Sequence, residues 1–226
     1  FTDEDEDGEV TIEFNSYTAG DTDETIVTAA GDDTATLADG STSLGEGDLL
    51  AQGGYDLAAV QGTQTNGTEV FENGDSSFSS LSIGPRSTDS MQLWTAPSGT
   101  DSDALLDSVT QDTTIAQNDW VVHQVTASGI EGLVAAEGNF SAALGNGLNV
   151  TVEQTEASTL QNRQSKSLSL SESPDSAVQL LADAENESYY IALNTETAVF
   201  ERPNSDENLG VNADEEYTAT FTVDDS

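Results

Sequence analysis

Of 226 residues, 43 are Asp or Glu and only 4 are Lys or Arg, which leaves a net charge of −39. The acids run along the whole chain rather than gathering in a tail. Any fold open to this sequence must therefore carry a dense shell of like charge. In dilute buffer, about 0.01 M, the Debye length is about 30 Å and such a shell repels itself across the molecule. At about 1 M it shrinks to about 3 Å and the repulsion is largely screened. A surface built for dilute solution normally mixes both signs of charge, whereas here one lysine and three arginines face all those acids. The sequence reads as that of a halophile protein that needs concentrated salt to hold its fold.

High charge with low hydrophobicity is also the mark of disorder, and the apolar fraction is only 35%. The pattern decides against disorder, because alternating apolar residues recur from Val10 to Val223 with aromatic residues inside them. The charge itself excludes two partner classes. Nucleic-acid binding depends on Lys and Arg releasing phosphate counterions, and anionic membranes attract the same residues. No apolar run approaches the length of a bilayer span. With no cysteine there is neither a disulfide framework nor thiolate chemistry. The chain opens at Phe1 with no signal peptide, sorting segment or anchor, which is read as processing or as a fragment of a precursor.

Along the chain, short alternating segments are separated by turn residues. Residues 9–17 place Val10, Ile12 and Phe14 on one face, the pattern of a half-buried strand. Further strands are expected at 25–29, 55–60, 78–83 and 91–94, with Gly84-Pro85 as a turn between the last two. Residues 98–118 are polar and rich in Asp and Thr. Trp120 to Ala127 is the strongest strand of the second half. Residues 131–144 read equally as helix or loop, and residues 174–185 as a short helix opening at Pro174 or as a strand. Leu148, Val150 and Val152 alternate with polar residues, as do Tyr217, Ala219, Phe221 and Val223. Such spacing predicts an all-β fold, a sandwich or barrel. It divides into an N-terminal module at 1–98, a polar linker at 99–118 and a C-terminal module at 119–226.

Several segments carry a family resemblance: Asp5 to Tyr17; Gly54 to Leu57; Ile83 to Thr88 leading to Leu93–Pro97; and, most specific, Asn-Asp-Trp-Val-Val-His-Gln-Val-Thr-Ala-Ser-Gly-Ile-Glu-Gly over 118–132. Val152 to Thr155 with Asn162 and Arg163, and Tyr217 to Val223, complete it. Together these resemble haloarchaeal secreted surface proteins of the BGTF surface-domain type, Ig-like and related to surface-layer glycoproteins. The resemblance implies an exported, Ig-like, glycosylated structural protein and no catalytic residues. The family's C-terminal sorting tail and its additional N-terminal strands are not seen in this chain.

Few residues offer chemistry. Asp3, Asp5, Asp7 and Gly8 have the spacing of the first half of a calcium loop. Position 12 of that loop falls on Phe14, so an EF-hand is excluded, and a looser calcium site stands against a solvated acidic turn. Asn66, Asn139, Asn149 and Asn186 begin N-x-Ser/Thr sequons, triplets that a Ser/Thr-rich chain also produces by chance. His123, the only histidine, shares strand parity with Val121 and Val125 and reads as a half-buried strand residue. Lys166, the only lysine, reads as a solvated charge or an ion pair, although buried Lys–Asn or Lys–Asp isopeptide bonds occur in some surface β-domains. Arg86, Arg163 and Arg202 are expected to pair with carboxylates. No nucleophile elbow, zinc-protease or P-loop motif is present, so the reading is not an enzyme and no cofactor is called for beyond calcium.

The sequence is therefore read as an Ig-like β-sandwich of two packed modules, an extracellular structural protein of a halophilic archaeon. It self-assembles at the cell surface as a pilus-like filament or a surface-layer subunit. Subunits would join by strand addition at the edge near residues 9–17 or at 217–223, with other surface proteins or glycans as further partners. The alternatives are a monomeric adhesin or ligand-binding module, and a carbohydrate-active enzyme.

Overall fold

A computed structural model describes residues 1–20, 26–36, 44–60, 77–155, 164–183, 186–205 and 207–224. The chain is all-β and divides into two compact units, Phe1–Arg86 and Ser87–Ser226.

In the first unit, strands β1 (Ile12–Phe14) and β2 (Val27–Ala29) pair antiparallel, as do β3 (Gly53–Ala59) and β4 (Ser77–Ile83). The strand expected over 9–17 is thus three residues long and lacks the buried face its alternation suggested. Ile12 and Phe14 are 39% and 44% exposed. Its end has a local cause: the Asn15 side chain accepts the Tyr17 backbone N–H at 2.9 Å, an Asx turn that competes with the ladder. Among the described residues β1 and β2 form a two-stranded sheet, and a sheet of two strands buries neither face by itself. Close backbone approach occurs at Gly20. A Cβ on Gly20 would lie 2.4 Å from the Gly45 carbonyl oxygen, so the 45–48 turn closes over Gly20 only because it has no side chain.

The second unit holds the large core. Strands β5 (Ser87–Ala96), β6 (Thr110–Gln111) and β7 (Trp120–Ser128) are followed by short helices at Glu131–Ala136 and Phe140–Ala143. Then come β8 (Leu148–Gln154), β9 (Ser167–Leu168), β10 (Val178–Asp183), β11 (Ser188–Asn194), β12 (Phe200–Glu201) and β13 (Tyr217–Val223). They form a five-stranded sheet, β10-β11-β7-β5-β6, and a four-stranded sheet, β12-β9-β8-β13. The described part of 174–185 holds a turn, Ala177 N–H donating to the Pro174 carbonyl, and the strand β10.

The sequence pattern explains the layering. β8 is buried at every second residue, with Leu148, Val150 and Val152 inward and Asn149, Thr151 and Glu153 outward. β7 and β11 bury residues on both faces, as central strands covered on two sides do. One face of the five-stranded sheet packs Trp120, Val122 and Ala192 against Leu105 and Val109. The other face meets the four-stranded sheet, and the Phe140 ring lies 5.2 Å from Tyr189 of one sheet and 6.5 Å from Phe221 of the other. Fully buried side chains such as Val125, Leu148 and Ile191 each contribute about 1.5–3 kcal/mol.

The division at Arg86 differs from the sequence boundary at 98–118. β5 pairs with β7 from Ser87 to Ala96, with Leu93 opposite His123 and Ala96 opposite Trp120, which puts it in the second unit. The polar stretch 99–118 is structured too: it holds two 3-10 turns, the short β6, and Leu105 at 0% exposure.

His123 takes the parity expected from the sequence and is 8% exposed. Burial alone pushes its imidazole down from 6.5 to about 4. A histidine whose folded pKa is depressed is protonated more readily in the unfolded chain, so protons favour unfolding between the two values. Stability linked to His123 is complete above pH 6.5 and declines by about 3 kcal/mol as pH falls to 4. Because this is the only histidine, its imidazole proton resonances report it without overlap. They should keep neutral positions down to pH 5, whereas a midpoint near 6.5 would show that the side chain is solvated.

Candidate functional site

At the start of the first unit, Thr2 and Thr34 exchange backbone hydrogen bonds of 2.8 and 3.1 Å. This bridge sets the acidic N-terminal turn beside Asp33. The turn is held by its own carboxylates: Asp3 Oδ2 accepts Gly8 N–H at 2.9 Å and Asp5 Oδ1 accepts Asp7 N–H at 3.1 Å. Asp33 Oδ1 accepts Glu4 N–H at 3.0 Å. Carboxylate oxygens of Asp3, Asp5 and Asp33 lie within 4.8 Å of one another, and Asp3 Oδ1 is buried without a hydrogen-bond partner. Oxygens bound to one calcium ion at about 2.3–2.6 Å fit within that separation. Two of the three aspartates singled out by spacing are therefore brought together. Asp7 instead accepts Glu9 N–H at 2.8 Å, and Asp33 takes the third place. Asp33 is invisible to local spacing, because only the bridge between residues 2 and 34 delivers it.

In the second unit, a cleft of about 790 Å³ opens between the two sheets. Leu93, His123 and Leu193 line it from the five-stranded sheet, Val152 and Ala219 from the other, and residues 211–216 from the loop before β13. The His123 imidazole makes no hydrogen bond with a carboxylate or hydroxyl among the described residues, so nothing there orients it as a general base.

Beside the cleft, Lys166 is 1% exposed. Its backbone extends the β8 ladder, with Gln154 N–H donating to the Lys166 carbonyl at 2.8 Å. Its Nζ donates to Glu215 Oε2 at 2.5 Å and to the Gly210 carbonyl at 2.8 Å. Glu215 also accepts from the Asn212 backbone N–H at 2.8 Å, from Asn212 Nδ2 at 3.1 Å and from the Tyr217 hydroxyl at 2.7 Å. Burial pushes the Glu215 carboxyl up, and the hydrogen bonds from Lys166, Asn212 and Tyr217 outweigh it, leaving the pKa at about 2. Of the two readings for Lys166, the ion pair is the one found, in a buried form. Glu215 and Asn212 carried no sequence signal that set them apart from the other acids and amides.

Arg86 Nη1 donates to the Tyr17 hydroxyl at 3.0 Å, and Arg202 Nε donates to the Gln164 carbonyl at 3.0 Å. Arg163 lies outside the described residues, as does the sequon at Asn66. The other three sequon asparagines are exposed. Asn139 caps the helix at Phe140–Ala143, its Oδ1 accepting Ala142 N–H at 2.9 Å. The Asn186 amide donates to Asp183 Oδ2 at 2.8 Å. Asn149 stands on the outward face of β8.

Residues 1–62 match a family described as Domain of unknown function (DUF7827). Nearly the whole chain is similar to haloarchaeal surface proteins. It is 34% identical over 233 residues to "Cell surface glycoprotein" of Haloferax gibbonsii, covering 98% of this chain and 25% of that protein. With "Cell surface glycoprotein 2" and "Cell surface glycoprotein 1" of Haloarcula hispanica the identities are 33% over 256 residues and 30% over 260, each covering 98% of this chain and 27% of the relative. The chain thus spans about a quarter of the length of the curated relatives it matches. No solved structure matches it, and no helix among the described residues is long and apolar enough to cross a membrane.

Proposed function

We propose that this chain is a structural module of an extracellular cell-surface glycoprotein of a halophilic archaeon, and that it assembles with copies of itself. The observation that carries the reading is similarity to cell surface glycoproteins running through 98% of the chain. The acid-rich surface suits an exterior bathed in concentrated salt. Assembly by strand addition draws on the free edge of β13, which pairs only with β8 among the described residues. That strand, Tyr-Thr-Ala-Thr-Phe-Thr-Val, carries no charge to repel a partner. At β1 the pairing partner is β2. Asn149, exposed on the outer face of the same sheet, is the sequon best placed to carry a glycan. A second reading, a monomeric ligand-binding module, draws on the cleft beside His123. Electron microscopy of the purified chain in about 3 M salt separates the two. Filaments or a lattice with β-pairing at β13 are expected, and particles of one chain at every concentration would overturn assembly.

The same reading extends to calcium at Asp3, Asp5 and Asp33, which would tie the N-terminal turn to the 33–34 turn. Loss of an ion present at roughly a hundredfold above its Kd should lower the melting temperature by about 5–10 °C. A calcium chelator at constant ionic strength is the test, and Asp33→Asn should abolish the sensitivity. An unchanged melting temperature in the unaltered chain would contradict the site.

A further inference from the structure

We propose that Lys166 and Asn212 condense into an intramolecular amide bond, with Glu215 carrying the protons. The inference does not depend on how the chain assembles. Three observations support it. The sole lysine of a 226-residue chain is buried to 1% exposure, where a flexible ammonium has no solvation to gain. Glu215 presents one oxygen to the lysine amine at 2.5 Å and the other to the Asn212 carboxamide nitrogen at 3.1 Å. The amine is further held by the Gly210 carbonyl at 2.8 Å, and the carboxylate by the Tyr217 hydroxyl at 2.7 Å. Nucleophile, proton carrier and electrophile are thus gathered on one carboxylate.

The chemistry balances without an outside reagent. The lysine ammonium passes a proton to Glu215, and the neutral amine attacks Cγ of Asn212. The tetrahedral adduct loses a proton from its new nitrogen and expels the carboxamide nitrogen. That nitrogen collects both protons and leaves as ammonium, while Glu215 returns to a carboxylate. One C–N bond forms and one breaks, with no change of oxidation state. Because Asn212 is exposed, its side chain can turn toward the amine to reach a near-attack separation of about 3–3.5 Å, and the ammonium escapes directly to solvent. The ion pair is the favoured resting state, but the reaction need occur only once per molecule, so a rare neutral pair suffices. The product removes a buried charge, a costly feature when its compensation is imperfect. It would also join the start of β9 covalently to the loop before β13.

The test is proteolysis of the folded full chain, purified in molar salt, with a protease cutting after Asp and Glu, followed by mass spectrometry. A branched peptide joining residues 166 and 212 is expected, lighter by one ammonia than its two linear parts together. Lys166→Arg and Asn212→Ala should abolish it, and Glu215→Gln, verified as folded by circular dichroism, should leave the linear peptides. The unaltered chain decides the matter even if a variant fails to fold. Linear peptides with free Lys166 and Asn212 from folded wild-type protein overturn the bond, and a bond that persists in Glu215→Gln overturns the role of that carboxylate.

Discussion

Repulsion among surface carboxylates sets the terms on which everything else in this protein operates. With 39 net negative charges, the work of bringing the chain together depends on the range over which those charges act. The favourable side is a core of ordinary aliphatic and aromatic residues, concentrated in the second unit. Its two sheets, joined through Phe140, bury apolar side chains from both inner faces. Native proteins are stable by only about 5–15 kcal/mol, so a surface term of even a few kcal/mol decides whether such a core is sufficient.

The two units meet this constraint differently. The second has layers, and its scarce cations are used sparingly within it: Lys166 is spent inside, on Glu215, not on the surface where acids abound. The first unit has short ladders and large apolar residues left in view, Phe78 at 59% and Leu57 at 50% exposure. Its described residues are held by Asx turns, a backbone bridge and a close approach at Gly20, besides the two ladders. Three aspartate oxygens gathered beside that bridge repel one another unless a cation sits among them. This is the local form of the constraint that acts over the whole surface.

The sequence disclosed the second unit well. The alternation of Leu148, Val150 and Val152, the run from Trp120 to Ala127 and the parity of His123 each appear in the structure as read. These are period-two patterns in strands that have a layer to face, where burial and sequence must agree. The same pattern misled at Val10, Ile12 and Phe14, because alternation reports a face suited to burial and not whether a second layer exists. Pairing across long separations was not legible either. Nothing local says that Ser87–Ala96 joins Trp120–Ser128, that Asp33 meets Asp3, or that Glu215 meets Lys166. Each depends on register set by distant residues. The polar run 99–118 concealed its anchor, since two leucines among aspartates look incidental until Leu105 is seen clustered with Trp120.

The central claim, that folding rests on screening of the carboxylate shell, is tested most directly by far-UV circular dichroism and particle size during stepwise dialysis from about 3 M to about 0.01 M salt. The pH is held fixed, and a parallel series keeps osmolality constant with a neutral solute. The account predicts loss of the β signal or dissociation of assemblies as the Debye length grows toward about 30 Å, with no rescue by the neutral solute. An unchanged spectrum and unchanged particle size at the lowest ionic strength would contradict it.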